Sequence, residues 1–372
     1  MISHLKHAAA GGSHKPVPRV LVPLLKALAP LYGIGQRLHH RYDSRPTRRR
    51  YLACPVISVG NITTGGTGKT PMTRHVARHL QKLGWRPANI SRGYGGDFER
   101  RGGVVSDGRT VLATAGLAGD EAYMLATQVP GVAVLVGRDR YRSGLIAQQR
   151  YGADILILDD GFQHYRLARS VDLVLLDAEN PLGNGHLLPL GRLREPPQNL
   201  KRADALIFVH RGASAGADRR WLKPLFGSGP VFDCRRVQVP GEVGDKGASS
   251  GHRFDPLLKN ASGQPQRLFA FAGLARNERF FGDLEQRGAE LVARRSFPDH
   301  HPYTLKTLES LAAAALAAKA DAIVTTAKDH SRFPQDFTWP LKVLVMDVAL
   351  EFEDDRFDAY LIRQLEQVAP PL

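Results

Sequence analysis

Residues 54–71 read C-P-V-I-S-V-G-N-I-T-T-G-G-T-G-K-T-P, and the fold turns on this stretch. The β-branched run Val56-Ile57-Ser58-Val59 suits a buried strand. Gly65-Gly66-Thr67-Gly68 follows as a loop, then Lys69 and Thr70, and a helical pattern begins at once. Met72, Val76, Leu80 and Leu83 share one helical face, Gly84 stops the helix, and Pro71 sits in the first turn, where a missing N–H costs little. Strand, glycine loop, Lys-Thr and helix make a phosphate cradle. Glycines let backbone N–H groups turn inward, and the helix N-terminus adds partial positive charge. Lys69 reaches outer phosphates and the Thr70 hydroxyl ligates Mg²⁺. Thr63, Thr64, Gly65, Gly66, Thr67, Gly68, Lys69 and Thr70 are therefore the expected nucleotide-binding residues. The usual loop carries glycine where Thr63 stands, so Gly60, Gly65 and Gly66 must supply the flexibility.

Working outward, the 372 residues suffice for two domains with substantial cores. Cys54 and Cys234 lie far apart without metal-like spacing, which fits a reducing, cytosolic setting. The net charge of +15 calls for an acidic partner: nucleic acid, anionic lipid or a phosphorylated substrate. No apolar run reaches the ~18 residues of a membrane span, and no signal-peptide cleavage pattern follows the first apolar run. Residues 1–18 are small and polar and are expected to be disordered. Residues 20–34 are apolar and flanked by Lys15 and Arg19 on one side and Arg37, Arg41, Arg45, Arg48, Arg49 and Arg50 on the other. On the residues alone, this segment suits equally a helix lying in a membrane interface and a helix packed on the core.

Beyond the cradle, Ala88-Asn89-Ile90-Ser91 reads as a strand ending in the basic loop Arg92-Gly93-Tyr94-Gly95-Gly96, and such loops line ligand crevices. Residues 97–112 read as a hairpin. Asp120 and Glu121 start a helix, where acids complement the dipole. The strand 132–136 ends at Gly137-Arg138-Asp139-Arg140. The strand 154–158 ends in Asp159 and Asp160, the expected Mg²⁺-binding companions of a phosphate loop, because adjacent acids need a balancing cation. Further strands are expected over 171–177 and 205–209, so strands alternate with helices in a mostly parallel α/β sheet covered on both faces. Residues 239–266 read as an insertion rich in Gly, Ser and charge, and a smaller α/β unit opens at Arg267. The expected division is a basic N-terminal segment over 1–50, a phosphate-loop core over 51–215, linker and insertion over 216–266, and a C-terminal unit over 267–372.

With these motifs laid out, nearly the whole chain resembles the tetraacyldisaccharide 4′-kinases of lipid A biosynthesis. The carriers are V-G-N-I-T-T-G-G-T-G-K-T-P, S-R-G-Y-G-G, G-D-E-A, L-D-D-G-F-Q-H, G-N-G-H-L-L-P, L-R-E-P, F-P-D-H-H-P-Y and T-A-K-D, in order. Two positions depart from the pattern, Arg192 and Asn277, each where Pro is expected. The resemblance implies an ATP- and Mg²⁺-dependent kinase of P-loop type. It would transfer the γ-phosphate to the 4′-hydroxyl of a tetraacylated glucosamine disaccharide 1-phosphate, giving lipid IVA. It implies Asp120 as base, Asp159 and Asp160 near Mg²⁺, and a histidine of the Asp299-His300-His301 loop, with His300 preferred as partner to Asp120. The full candidate set adds Lys69 to the catalytic residues, Glu121 and Thr70 to the metal residues, and Arg92, Tyr94, Arg140, Arg194 and Glu195 for substrate. A lipid substrate also favours the membrane-interface reading of residues 20–50 and a peripheral place on the cytoplasmic face of a bacterial inner membrane, with no obligate protein partner.

Two other classes compete. A partner-regulated membrane ATPase of this phosphate-loop branch often carries a second Lys just before the Gly-Gly pair, where this chain has Thr64. A nucleic-acid binder would interleave aromatics with its basic run, and no such motif is present.

Overall fold

The computed structural model describes residues 19–212, 218–241, 265–334 and 336–368. Residues 1–18 and most of the 239–266 insertion, both read above from composition, lie outside the described residues. The chain divides into two compact units, Met1–Val237 with Ala349–Leu372, and Gln238–Val348.

In the first unit the strands are β1 (Val56–Asn61), β2 (Pro87–Ser91), β3 (Gly103–Asp107), β4 (Ala133–Val136), β5 (Ile155–Asp159), β6 (Val171–Asp177), β7 (Ala205–His210) and β8 (Val231–Pro240). They are ordered β8-β7-β6-β1-β5-β2-β4-β3. All neighbouring pairs are parallel except β3 with β4. Side chains alternate along each strand, yet both sets are buried. Ile57, Val59, Ile155, Ile157, Leu173 and Leu175 enter one core, while Val56, Leu156, Leu158, Val174 and Leu176 enter the cores on the opposite face. A parallel sheet needs such cover on both faces, which explains why these strands read as near-continuous apolar runs.

The principal helices are α1 (Val22–Asp43), α2 (Lys69–Lys82), α3 (Asp120–Gln128) and α4 (Arg140–Tyr151). Met72, Val76 and Leu80 of α2 are fully buried, whereas Leu83, expected on the same face, lies just past the helix end and is 47% exposed. Asp139 caps α4 by accepting from the Arg142 amide at 3.1 Å, a contact worth about 1 kcal/mol. Residues 97–112 do not form a simple hairpin. A helical turn at Phe98–Arg101 precedes β3, which pairs with β4 and makes only an isolated bridge, Ser106 to Val111, across the turn.

α1 is two-faced. Leu25, Ala29, Gly33 and Asp43 are buried, and Tyr32 donates to the Arg194 carbonyl at 3.0 Å while Gln36 donates to the Tyr165 hydroxyl at 2.8 Å. Leu24, Leu28, Leu31, Ile34, Leu38 and Tyr42 recur every three or four residues and are exposed. Pro30, Gly33 and Gly35 make this a poor helix by propensity, so packing of the inner face sustains it.

The second unit holds β9 (Arg267–Ala272), β10 (Glu290–Ser296), β11 (Ala322–Thr326) and the start of β12 (Lys342–Phe352), ordered β10-β9-β11-β12 and parallel. Helix α5 (Asn277–Gln286) buries Phe280, Phe281 and Leu284, and α6 (Leu305–Ala317) buries Leu308, Leu311 and Ala315. Asn277 ties the α5 start down: its Oδ1 accepts from the Leu274 amide and its Nδ2 donates to the Phe297 carbonyl, at 2.7 and 2.8 Å. The division differs from the one expected. Residues from Ala349 onward group with the first unit, because Phe357, Tyr360, Leu361 and Leu365 of the C-terminal helix Arg356–Val368 complete the core that α2 lines. The stretch expected to be linker contains β8, which pairs with β7.

Leu80→Ala empties a fully buried position in that shared core. It is expected to lower stability by about 2–5 kcal/mol, read as a fall in the urea midpoint at unchanged slope.

Candidate active site

The site forms where β1 and β5 lie side by side, with Val59 in register with Asp159. The chain leaves β1 for β2 on one side and leaves β5 for β6 on the other, so the carboxyl ends of β1 and β5 border the crevice of the sheet. The Asp160-Gly161-Phe162 turn lies against β1 there. A Cβ on Gly60 would stand 2.4 Å from Phe162 Cβ and 2.8 Å from its amide nitrogen, so only glycine allows this approach. Asp160 itself takes φ 57°, a left-handed value uncommon for a side chain with a Cβ.

The phosphate loop runs from β1 to α2. Gly65 and Gly68 have φ 114° and 88°, and the Thr67 hydroxyl accepts from Asn61 Nδ2 at 2.8 Å. Thr70 donates to Asp159 Oδ2 at 3.1 Å. Asp159 is 2% exposed, and its Oδ1 has no hydrogen-bond partner among the described residues. Burial, then the nearby Glu121 charge, raises this carboxyl to about 7, although Lys69 works the other way. Asp160 is treated oppositely. Arg194 Nη1 donates to both its oxygens at 2.8 and 2.9 Å, and Lys69 Nζ stands 3.7 Å away. Burial opposes its ionisation, but Lys69, Arg194 and Arg140 outweigh that and hold it at about 2. The Asp160 side chain keeps 37% of its surface open to the crevice.

A buried, unpartnered carboxylate oxygen beside a threonine hydroxyl fits Mg²⁺, which takes one or two protein oxygens and completes its shell with phosphates and water. Among the described residues no group of three or more His, Cys, Asp or Glu gathers to hold a metal alone.

A scan against family models matches residues 21–366 to the tetraacyldisaccharide-1-P 4′-kinase model. The chain belongs to that family. A tetraacyldisaccharide 4′-kinase of Geobacter metallireducens is 44% identical over 84% of this chain and 88% of its own. One of Syntrophus aciditrophicus is 39% identical over 92% of each. The crystal structure of "apo" form LpxK from Aquifex aeolicus in complex with ATP superposes with a TM-score of 0.72 at 28% identity, covering 93% of this chain and 99% of that one.

Most candidate residues of this family member converge. Lys69, Thr70, Glu121, Arg140 and Arg194 all act on one or both of the carboxylates of Asp159 and Asp160. Arg140 is buried at the start of α4, donates to the Gly137 carbonyl at 2.8 Å, and is lowered to about 10 by burial. Arg92 pairs with Glu99 at 2.8 Å, and its charge reaches Arg140. Tyr94 is 74% exposed. The loop carrying Arg92 and Tyr94 packs against the start of α3: a Cβ on Gly96 would meet the Gly119 nitrogen at 2.4 Å, and one on Gly119 the Tyr94 carbonyl at 2.6 Å. That contact sets Asp120 as the first residue of α3.

Glu195 is a correction. Expected at the substrate, it is fully buried and accepts from Arg202 at 2.5 Å, Gln163 at 2.6 Å, Asn199 at 2.7 Å and Tyr165 at 3.3 Å. It positions Gln163, which reading the residues singly missed: Gln163 Nε2 donates to the Asn61 carbonyl at 2.7 Å and its Oε1 accepts from Arg194 at 2.9 Å. The signal was its place inside L-D-D-G-F-Q-H.

In the second unit, His300 is 54% exposed at φ 61°, with Lys328 Nζ 3.4 Å from its Nε2 and Arg332 Nη2 3.4 Å from its Nδ1. Lys328 also pairs with Asp299 at 2.8 Å. His301 differs: it stacks on Phe297 at 4.4 Å and packs edge-on against Tyr303. The two histidines thus separate into one open to solvent and one built into packing.

The raised Asp159 carboxyl means that the folded chain binds this proton more tightly than the unfolded chain. Its contribution to stability is present below the ordinary carboxylate range and is lost as pH rises through about 7. In metal-free protein the thermal midpoint should fall over that interval. Asp159→Asn should flatten the fall, and a variant as steep as the native chain would refute the assignment.

Proposed function

We propose that this chain is an ATP-dependent kinase that phosphorylates the 4′-hydroxyl of a tetraacylated glucosamine disaccharide 1-phosphate. The observation that carries the proposal is the junction of Lys69 and Thr70 with Asp159 and Asp160 at the carboxyl ends of β1 and β5, in a member of this kinase family. Mg²⁺, when bound, would supply positive charge that offsets the charge of the phosphates. Thr70 and Asp159 would hold it, and Lys69 would hold the outer phosphate. Asp160, already satisfied by Arg194 and Lys69, keeps Lys69 oriented. Asp120 would take the proton that the sugar hydroxyl must lose. Arg92, Arg140 and Arg194 supply a cationic lining suited to a phosphorylated sugar.

α1 supports the membrane part of the reading. Val20, Leu24, Leu28, Leu31 and Leu38 are 87%, 56%, 37%, 62% and 60% exposed. Arg37, Arg41, Arg45, Arg48 and Arg49 follow in the chain. No described helix is long and apolar enough to cross a membrane. An exposed apolar stripe beside clustered arginines suits a helix lying on an anionic leaflet, here the cytoplasmic face of a bacterial inner membrane.

The test is phosphate transfer from radiolabelled ATP to the monophosphorylated disaccharide lipid, resolved by thin-layer chromatography. Acceptor-independent ATP turnover would favour an ATPase instead. In that assay Asp159→Asn should need about tenfold more Mg²⁺ for half-maximal rate, since it removes the ligand charge. Asp160→Asn should lower kcat with a smaller Mg²⁺ shift. Equal shifts in both would overturn the division of roles.

Deleting α1 would strip the cover from Tyr165 and Arg194, so the outer stripe is better tested by substitution. Leu28→Asp with Leu31→Asp should release the protein from vesicles containing phosphatidylglycerol while its thermal midpoint stays near that of the native chain. Unchanged vesicle binding would place the docking surface elsewhere.

A further inference from the structure

The proposed mechanism gives no role to Arg192, the residue that stands where the family resemblance leads one to expect proline. Its surroundings are specific. Thr63 and Leu193 form an antiparallel bridge. The Thr64 amide donates to the Arg192 carbonyl at 2.7 Å, and the Arg194 amide to the Ile62 carbonyl at 2.8 Å. Residues 192–194 therefore run as a short strand beside 62–64, the stretch that leads into the phosphate loop. Alternate residues of an extended segment face the same way. Leu193 is fully buried in the core with Ile62 and Phe162, while Arg192 and Arg194 share the other face. Arg194 reaches Asp160. Arg192 turns onto the loop itself.

There the guanidinium grips one carbonyl twice. Nε and Nη2 donate to the Thr64 oxygen at 3.1 and 2.6 Å. The Thr64 residue is thus held at both polar groups, its N–H by the Arg192 main chain and its C=O by the Arg192 side chain. Gly65 lies directly under the fork. A Cβ at Gly65 would stand 2.2 Å from Arg192 Nη2, and its φ of 114° is a value that side chains rarely adopt. Gly183 supports the stem, since a Cβ there would lie 3.3 Å from Arg192 Cβ. The glycine and the arginine are matched, each fitting the space the other leaves.

This grip bears on phosphate binding through peptide geometry. In a trans peptide the C=O and the following N–H point in opposite directions across one plane. Fixing the Thr64 oxygen on Arg192 therefore fixes the Gly65 N–H on the far side of that plane. A flexible Thr-Gly-Gly run would otherwise sample many orientations of that donor, because glycine loses more conformational freedom on ordering than any other residue.

We propose that Arg192 is a positioning residue of the phosphate loop: its fork on the Thr64 carbonyl presets the Gly65 N–H toward the polyphosphate of the bound nucleotide. The assignment deepens the kinase reading and rests on it. Arg192 serves where the loop lacks the usual first glycine and carries Thr63, which the bridge to Leu193 already pins. The arginine sets the next peptide along.

The experiment compares native chain, Arg192→Met and Arg192→Lys, full length, by titration calorimetry with ATP·Mg²⁺ and by the lipid phosphorylation assay. Arg192→Met keeps the stem and loses the fork. It should weaken ATP binding about tenfold, the scale of one hydrogen bond to a charged group. KM for ATP should rise with it, KM for the lipid should stay within about twofold, and the thermal midpoint should hold. Lysine keeps the charge but offers a point donor in place of a fork, so Arg192→Lys should recover only part of the loss. Unchanged ATP affinity in Arg192→Met would overturn the proposal. So would a rise in both KM values with a lowered midpoint, which marks a general structural role, or full recovery by lysine, which would leave charge alone acting. If the native chain binds ATP but phosphorylates no lipid, the acceptor reading fails, while a weakened Arg192→Met still upholds the loop assignment. If the native chain binds no ATP, both fall.

Discussion

Two carboxylates lie next to each other at a buried strand tip, where burial disfavours the charge on both, and the first unit has to settle that cost. The settlement is unequal. Asp160 receives Lys69 and Arg194 and stays ionised. Asp159 accepts from the Thr70 hydroxyl, is pushed up by burial and then by Glu121, and keeps one oxygen unpartnered among the described residues. Two chemically identical side chains thereby differ: one is a paired anion and the other keeps an unpartnered oxygen. The left-handed turn at Asp160 and the absence of a Cβ at Gly60 are what allow the chain to present both at the phosphate loop.

Behind this front lies a second buried anion. Glu195 has no exposed surface and draws donors from Gln163, Tyr165, Asn199 and Arg202. Leaving such a charge without partners would cost several kcal/mol, so its donors are held firmly in place. Gln163 carries the constraint forward to the Asn61 carbonyl at the end of β1. Tyr165 carries it outward, accepting from Gln36 of α1. The residues flanking Glu195 do the same work, since Arg194 reaches Asp160 with its side chain and Tyr32 with its carbonyl. One polar network thus joins the phosphate site to the inner face of the helix whose outer face is apolar and exposed.

On that helix the core-packing expectation for residues 20–34 holds for one face, while the other face is apolar and exposed. Leu25, Ala29 and Gly33 lie against the core, and Leu24, Leu28 and Leu31 do not. A single apolar segment of this length cannot reveal by composition which of its residues meet protein. The two stripes interleave at helical spacing, and only the docking of Tyr32 and Gln36 separates them.

The amino-acid sequence by itself determined the parallel α/β class, because strands buried on both faces must be almost wholly apolar and must alternate with helices. It also determined the phosphate loop and the acidic strand tip, since Lys69-Thr70 and Asp159-Asp160 are local patterns tied to local chemistry. Tertiary structure alone decided the rest. It separated Asp159 from Asp160 by supplying arginine and lysine to one of them, and it removed Glu195 from the substrate by burying it. It returned residues from Ala349 to the first unit because the α2 core lacked a cover. It also set Arg192 on the Thr64 carbonyl. Each of these depends on partners brought together by the fold, 34 residues apart for Arg194 and Asp160 and 128 apart for Arg192 and Thr64. Dielectric and charge around a group are properties of the assembled neighbourhood, which no short pattern contains.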